Sequence, residues 1–259
     1  MTLTIIFLTA VCFGSFANNL ISFYSGSSLF DLLKSSCLCG NKKLKFFELI
    51  PLLSFIIQKR KCRSCERKIP YRYLIVELIT GLTGIIFYIK FDFSPSLFIY
   101  FSLYLVLLII AVTDLFCYRI PNRLILVVLL ITGIKFSIYQ TGLLTNLITA
   151  FSITSLFLII NKCYLKLSNK LAIGYGDIKL IAALTLFLNF PLSIIGLWFS
   201  SLIAIPGFYL LKRIYKNNIR DKKIPFGFFL GIGYTGTLLL GSRILIWYEH
   251  YFNYMSKLF

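Results

Sequence analysis

Few side chains in this 259-residue chain can do acid–base or nucleophilic chemistry. There are nine acidic residues and a single histidine, His250, which follows the last apolar run and lies far from any other candidate. Serine and cysteine nucleophiles paired with a histidine base are therefore disfavoured. Two aspartates stand where apolar runs meet polar segments. Asp114 closes one run, in AVTDLFCYRIPN, and Asp177 opens another, in GYGDIKL. Asp is a common helix N-cap, so Asp177 could simply start its helix, with Gly174 and Gly176 making the turn. Asp114 is harder to explain structurally, because a negative charge at a helix C-terminus opposes the macrodipole by about 0.3–1 kcal/mol. Two carboxylates can share a proton and activate water. That pairing is the simplest hydrolytic chemistry available here. The helix ends also predict roles. Asp177, at a helix N-terminus, is expected to be the ionised base, and Asp114 the protonated acid.

Cysteine supplies a second chemistry. Four of the seven cysteines lie in one basic loop, as Cys37-Leu-Cys39 and Cys62-Arg-Ser-Cys65. In a reducing compartment such pairs remain thiols, and four thiolates in two close pairs suit a tetrahedral zinc ion. Four unrelated cysteines are the plainer alternative. The loop has little apolar core, so bound metal would supply its folding energy. Cys12, Cys117 and Cys163 have no sequence partners and read as small apolar residues in or near lipid.

The elements that must position these groups are membrane helices. Mean hydropathy is +0.85 and 58% of residues are hydrophobic, against 14% charged. A spanning helix needs roughly 20 apolar residues. Runs near that length recur at about 2–23, 72–90, 95–113, 123–138, 142–161, 178–190, 192–211 and 225–247, with 123–138 and 178–190 short. Residues 46–57 are apolar but too few to cross, and they contain Glu48 and Pro51, so an interfacial or re-entrant segment is expected. No Lys or Arg precedes Lys34, so the first run reads as a retained helix rather than a cleaved signal. The net charge of +18 would suggest nucleic-acid binding in a soluble protein. Here 23 of the 27 lysines and arginines fall on alternate loops and the other four, Lys90, Lys135, Arg243 and Lys257, on the opposite side, an asymmetry that topology alone explains. It places both termini outside and the long loop 24–71 in the cytoplasm, and no nucleic-acid partner is expected.

These segments together resemble the bacterial type IV prepilin peptidases, a family of GxGD membrane aspartic proteases. The resemblance is carried by Gly14-Ser15-Phe16-Ala17-Asn18, Leu49 to Ser54, Lys61-Cys62-Arg63-Ser64-Cys65, Tyr73 to Glu77, Asp114 with Ile120-Pro121-Asn122, Gly174-Tyr175-Gly176-Asp177-Ile178-Lys179, and Ile224-Pro225-Phe226-Gly227. It implies catalytic roles for Asp114 and Asp177, supported by Gly174, Gly176 and Lys179. It further implies prepilins and pseudopilins of type IV pilus or type II secretion systems as substrates. Cleavage would fall at the cytoplasmic face of the bacterial inner membrane, just before the substrate's hydrophobic helix. A second family activity, N-methylation of the new N-terminus with S-adenosylmethionine, would fall to the N-terminal region, with Glu48 and Lys61 as the matching residues. The chain departs from the pattern at Cys39 and Gly40, at Arg60 and at Phe228. The departures before residue 61 lie in the methylation region, so methylation is expected to be weaker than cleavage.

The expected architecture is an all-α polytopic membrane protein of about eight transmembrane helices, with a cytoplasmic zinc-binding loop. Residues 1–90 would form the methyltransferase-like region and 91–259 the peptidase domain. Two other readings are a GxGD protease acting on other membrane peptides and a non-enzymatic zinc-bearing scaffold. The oligomeric state is left open.

Overall fold

The computed structural model describes residues 1–26, 51–58, 60–61, 68–140, 142–214 and 225–255. Among them the chain is helical, apart from one antiparallel bridge between Lys61 and Lys68. The helices are α1 (Thr2–Tyr24), α2 (Leu53–Ile57), α3 (Tyr71–Phe91), α4 (Pro95–Cys117), α5 (Asn122–Tyr139), α6 (Leu143–Ser168), α7 (Tyr175–Phe187), α8 (Leu192–Ile214) and α9 (Phe226–Met255). Prolines sit at or just before several helix starts, at Pro70, Pro95, Pro121 and Pro225. The missing N–H costs nothing there, because the first turn of a helix has no internal acceptor for it.

Among the described residues seven helices are long and apolar enough to cross a membrane: α1, α3, α4, α5, α6, α8 and α9. The eighth expected span is α7, and its 13 residues make a rod of about 20 Å, short of the roughly 30 Å hydrocarbon core. The large apolar side chains left exposed, such as Phe151 at 76% and Ile159 at 59%, face where lipid would lie. Of the apolar stretch 46–57, residues 53–57 form the single helical turn α2, and residues before 51 lie outside the described residues.

The chain folds as two compact units, residues 1–109 and 110–259, joined through α4. In the first unit α1 lies against α3. Small residues allow the approach: a Cβ on Gly84 would stand 2.5 Å from Cβ of Ala10, the kind of contact that drives helix association in lipid. Polar groups add to it. The Asn18 amide donates to the Tyr73 carbonyl at 3.0 Å, and Arg72 Nη2 donates to Ser22 Oγ at 2.8 Å. The buried Glu77 accepts the Leu52 N–H at 2.8 Å, tying the segment before α2 to α3.

In the second unit α7 is the central rod. It packs against α5, α6 and α9, and its Ile178, Leu180, Ile181, Ala183, Leu184 and Phe187 are buried. Helices α8 and α9 pair closely, with Gly233 so near the Ser200 backbone that no side chain fits between them.

Candidate active site

Both aspartates belong to the second unit, at the ends of helices that meet there. Asp114 occupies the last turn of α4, as expected from sequence, although the helix runs on to Cys117. Tyr118 ends it in a left-handed conformation (φ 53°), with its N–H on the Asp114 carbonyl at 2.8 Å. The Asp114 side chain is only 5% exposed. The Phe228 N–H donates to Asp114 Oδ2 at 3.2 Å, and the Gly227 N–H also points at the carboxylate. These are first-turn N–H groups of α9, which have no partner within their own helix. The unfavourable end of α4 is therefore faced by the favourable end of α9. Reasoning from the aspartate's own helix alone missed this. The signal was present in Pro225-Phe226-Gly227, a proline followed by an apolar run, but only the tertiary fold brings it to Asp114.

Asp177 sits in the first turn of α7, outside the seven spans, and its carboxylate folds back over the helix start. The Gly174 N–H donates to it, one half of a capping box. A Cβ on Gly174 would lie 2.9 Å from Asp177 Oδ2, so a side chain there would press on the carboxylate. The same test at Gly176 gives 3.5 Å to the nearest atom, on Ile120, an ordinary contact. Burial, and then the charge of Asp114, push the Asp177 carboxyl up to about 7, against the pull of the Gly174 N–H. That the charge of Asp114 is felt at Asp177 places the two side chains in one electrostatic site. The expectation that the helix N-terminus keeps Asp177 ionised meets an opposing pull, since burial and the neighbouring charge raise its carboxyl.

Ile120 ties the motifs together. Its side chain would meet a Cβ on Gly176 at 3.5 Å, and a Cβ on Gly227 would stand 2.8 Å from its Cδ1 and 3.0 Å from Asp114 Oδ2. Lys179 Nζ lies 3.5 Å from Asn122 Oδ1, linking the GYGDIK and IPN segments. The segments around Asp114, Ile120, Asp177 and Gly227 thus converge in one unit. Beside them an apolar groove runs between α5 and α7. Asn122 and Lys179 lie at its aspartate end, and Leu126, Leu129, Ala182 and Leu186 line its length.

Lys61 is exposed and paired through its backbone with Lys68. Glu48 and the four loop cysteines, Cys37, Cys39, Cys62 and Cys65, lie outside the described residues. Among the described residues no cluster of His, Cys, Asp and Glu is placed to hold a metal. Cys12, Cys117 and Cys163 are free thiols.

Comparison with known proteins identifies the family. Residues 8–91 match the model of the bacterial peptidase A24 N-terminal domain, and residues 101–209, which include both aspartates, match the type IV leader peptidase family. A prepilin leader peptidase/N-methyltransferase of Aeromonas salmonicida (strain A449) is 32% identical over 227 residues, covering 83% of this chain and 74% of the relative. Proteins of the same description from Legionella pneumophila and Bacillus subtilis (strain 168) are 31% and 29% identical over 225 residues each. The matches cover 85% and 83% of this chain, and 77% and 85% of the relatives. No solved structure matches the chain. With two family models in tandem, and relatives this similar along most of their length, the chain belongs to the type IV leader peptidase family.

Proposed function

We propose that this protein is a membrane aspartic endopeptidase that cuts the basic leader from prepilins and pseudopilins at the cytoplasmic face of the bacterial inner membrane. The observation that carries the reading is the meeting of Asp114 and Asp177 at helix ends within one unit, with the Asp177 carboxyl raised by burial and by its partner's charge. Asp114, with the α9 N–H groups on its carboxylate, takes a proton from water as the oxygen attacks the scissile carbonyl carbon. Asp177 donates its proton in a hydrogen bond to the carbonyl oxygen, where negative charge develops. When the tetrahedral intermediate collapses, the C–N bond breaks and the leaving nitrogen takes a proton. The pair ends with one proton, as it began. The apolar groove between α5 and α7 suits the substrate's hydrophobic helix, with its scissile end near Lys179 and Asn122. The charge asymmetry of the loops supports a cytoplasmic active site.

The match of residues 8–91 and the name of the relatives support a second activity, N-methylation of the new N-terminus. S-adenosylmethionine would supply the methyl group, with Glu48 and Lys61 as the residues of this chain aligned with that activity. A structural zinc ion would be held by Cys37, Cys39, Cys62 and Cys65. The chain flanking the second pair is suited to it. Lys61 pairs with Lys68, and the Ile69 N–H donates to the Arg60 carbonyl at 2.9 Å, a framework on which a C-x-x-C turn can hang.

Co-expression with a prepilin tests the peptidase. Leader removal on a gel is expected from the parent and lost in Asp114→Asn and in Asp177→Asn, with both variants inserted normally. Full processing by either would refute the shared-proton mechanism.

A further inference from the structure

Helix α7 carries Asp177 yet is too short to be anchored by water at both ends. Both its termini have backbone groups with no partner inside the helix, and in lipid these must be satisfied by protein. The structure shows how. Before the helix begins, the side chain of Asn161, deep in α6 and 2% exposed, spends its whole amide on the incoming chain. Its Oδ1 accepts the N–H groups of Ala172 and Ile173 at 2.9 and 3.0 Å, and its Nδ2 donates to the Ile173 carbonyl at 2.9 Å. The next residue is Gly174, whose N–H holds the Asp177 carboxylate.

At the far end, Lys135 of α5 is buried, and its Nζ donates to the Phe187 carbonyl at 2.6 Å and lies 4.6 Å from the centre of the Phe187 ring. Asn146 of α6 donates to the Leu186 carbonyl at 3.4 Å and to Asn189 Oδ1 at 2.8 Å. Among the described residues no carboxylate is paired with Lys135. A charge at membrane depth is expensive and marks function more often than packing. Here its counterpart is the negative end of a helix dipole, that of the 13-residue helix α7. From sequence Lys135 looked like one of a few loop charges on the outer side. The fold instead places it inside the bundle.

We propose that Asn161 and Lys135 are positioning residues for Asp177, clamping the start and the end of α7 so that its carboxylate stands at the right height and rotation to share a proton with Asp114. This rests on the two-aspartate mechanism above. A clamp that acts only through position moves kcat and leaves KM alone, since neither residue lines the apolar groove. A misplacement of an ångström costs about 100-fold in rate.

The test separates the clamp from the mechanism beneath it. Asp114→Cys and Asp177→Cys are combined with Cys117→Ser in the full-length protein, in membranes, and treated with a short bis-methanethiosulfonate cross-linker. The expected parent result is efficient cross-linking. Adding Asn161→Leu or Lys135→Met is expected to cut the yield severalfold, whereas Lys135→Arg, which still donates, retains it. In the active background the same two variants should lose about 10- to 100-fold in kcat with KM changed less than about twofold. If Asn161→Leu does not insert, Asn161→Ser carries the test, being too short to reach residues 172 and 173. Parent-level cross-linking and kcat in the Asn161 and Lys135→Met variants would overturn the clamp and leave the aspartate pair standing. A parent that does not cross-link would overturn the pair itself, and the clamp with it.

Discussion

Replacing Gly174 with alanine would put a methyl carbon 2.9 Å from Asp177 Oδ2 and 3.8 Å from its Cγ. Something must move, and the carboxylate is the mobile partner, since Gly174 belongs to the backbone at the helix start. Moving it weakens the bond from the Gly174 N–H. A hydrogen bond to the protonated, uncharged Asp177 that the mechanism uses is worth about 0.5–1.5 kcal/mol, and about 1.4 kcal/mol is a factor of ten in rate. The expected loss is therefore about 2- to 13-fold in kcat/KM, with the helix itself barely destabilised. Gly176→Ala is the internal control. Its new carbon would meet nothing closer than 3.5 Å, and alanine favours a helix over glycine by about 1 kcal/mol. It should retain activity within about threefold, about 0.6 kcal/mol. The assay is leader cleavage of a purified prepilin in liposomes, with thermal unfolding of each variant as a check. Equal damage from both substitutions, or parent-level cleavage by Gly174→Ala, would show that the carboxylate does not rest on Gly174.

Asp114→Asn should be the more damaging of the two aspartate changes, because an amide on Asp177 can still donate a hydrogen bond while one on Asp114 cannot act as base; residual cleavage in the two variants decides it. Asp177 has its value raised above that of an ordinary aspartate, so its proton is present below about 7 and is lost as pH rises through it. Cleavage should accordingly fall on the alkaline side of neutrality, and kcat/KM holding flat to well above that point would contradict the assignment. Metal analysis of the purified protein should give about one zinc per chain, lost in Cys62→Ser; absence of metal with all four loop thiols alkylated would remove the site. Gly40 and Arg60 depart from the family pattern in the methylation region, so mass spectrometry at short reaction times should find cleaved pilin ahead of methylated pilin.

Much of the site was legible because it lies at boundaries. Asp114 and Asp177 stand where hydropathy changes sign, and an acidic residue there is conspicuous against an apolar background. The length of the run after Asp177 already marked it as short. The partners of the aspartates were not legible. Nothing local says that the N–H groups of Gly227 and Phe228 will turn towards a carboxylate 114 residues away, and for that reason the proposed roles differ from the expected ones. Lys135 was misplaced because charge counting assigns each lysine to the nearest loop. A lysine buried by a hydrogen bond to a distant carbonyl leaves no pattern in the sequence. Asn161 was passed over for a similar reason, since one amide in a long apolar helix breaks no periodicity.

The groove between α5 and α7 has one more consequence. Leu126 and Leu129 on its wall are 58% and 44% exposed, so it opens sideways, towards acyl chains. A substrate that docks its apolar helix there arrives by diffusion in two dimensions and competes with lipid for the slot. The concentration that saturates the enzyme is then a mole fraction in the bilayer rather than a molarity in the tube. Adding empty lipid at constant enzyme and substrate should slow turnover as though substrate had been withdrawn.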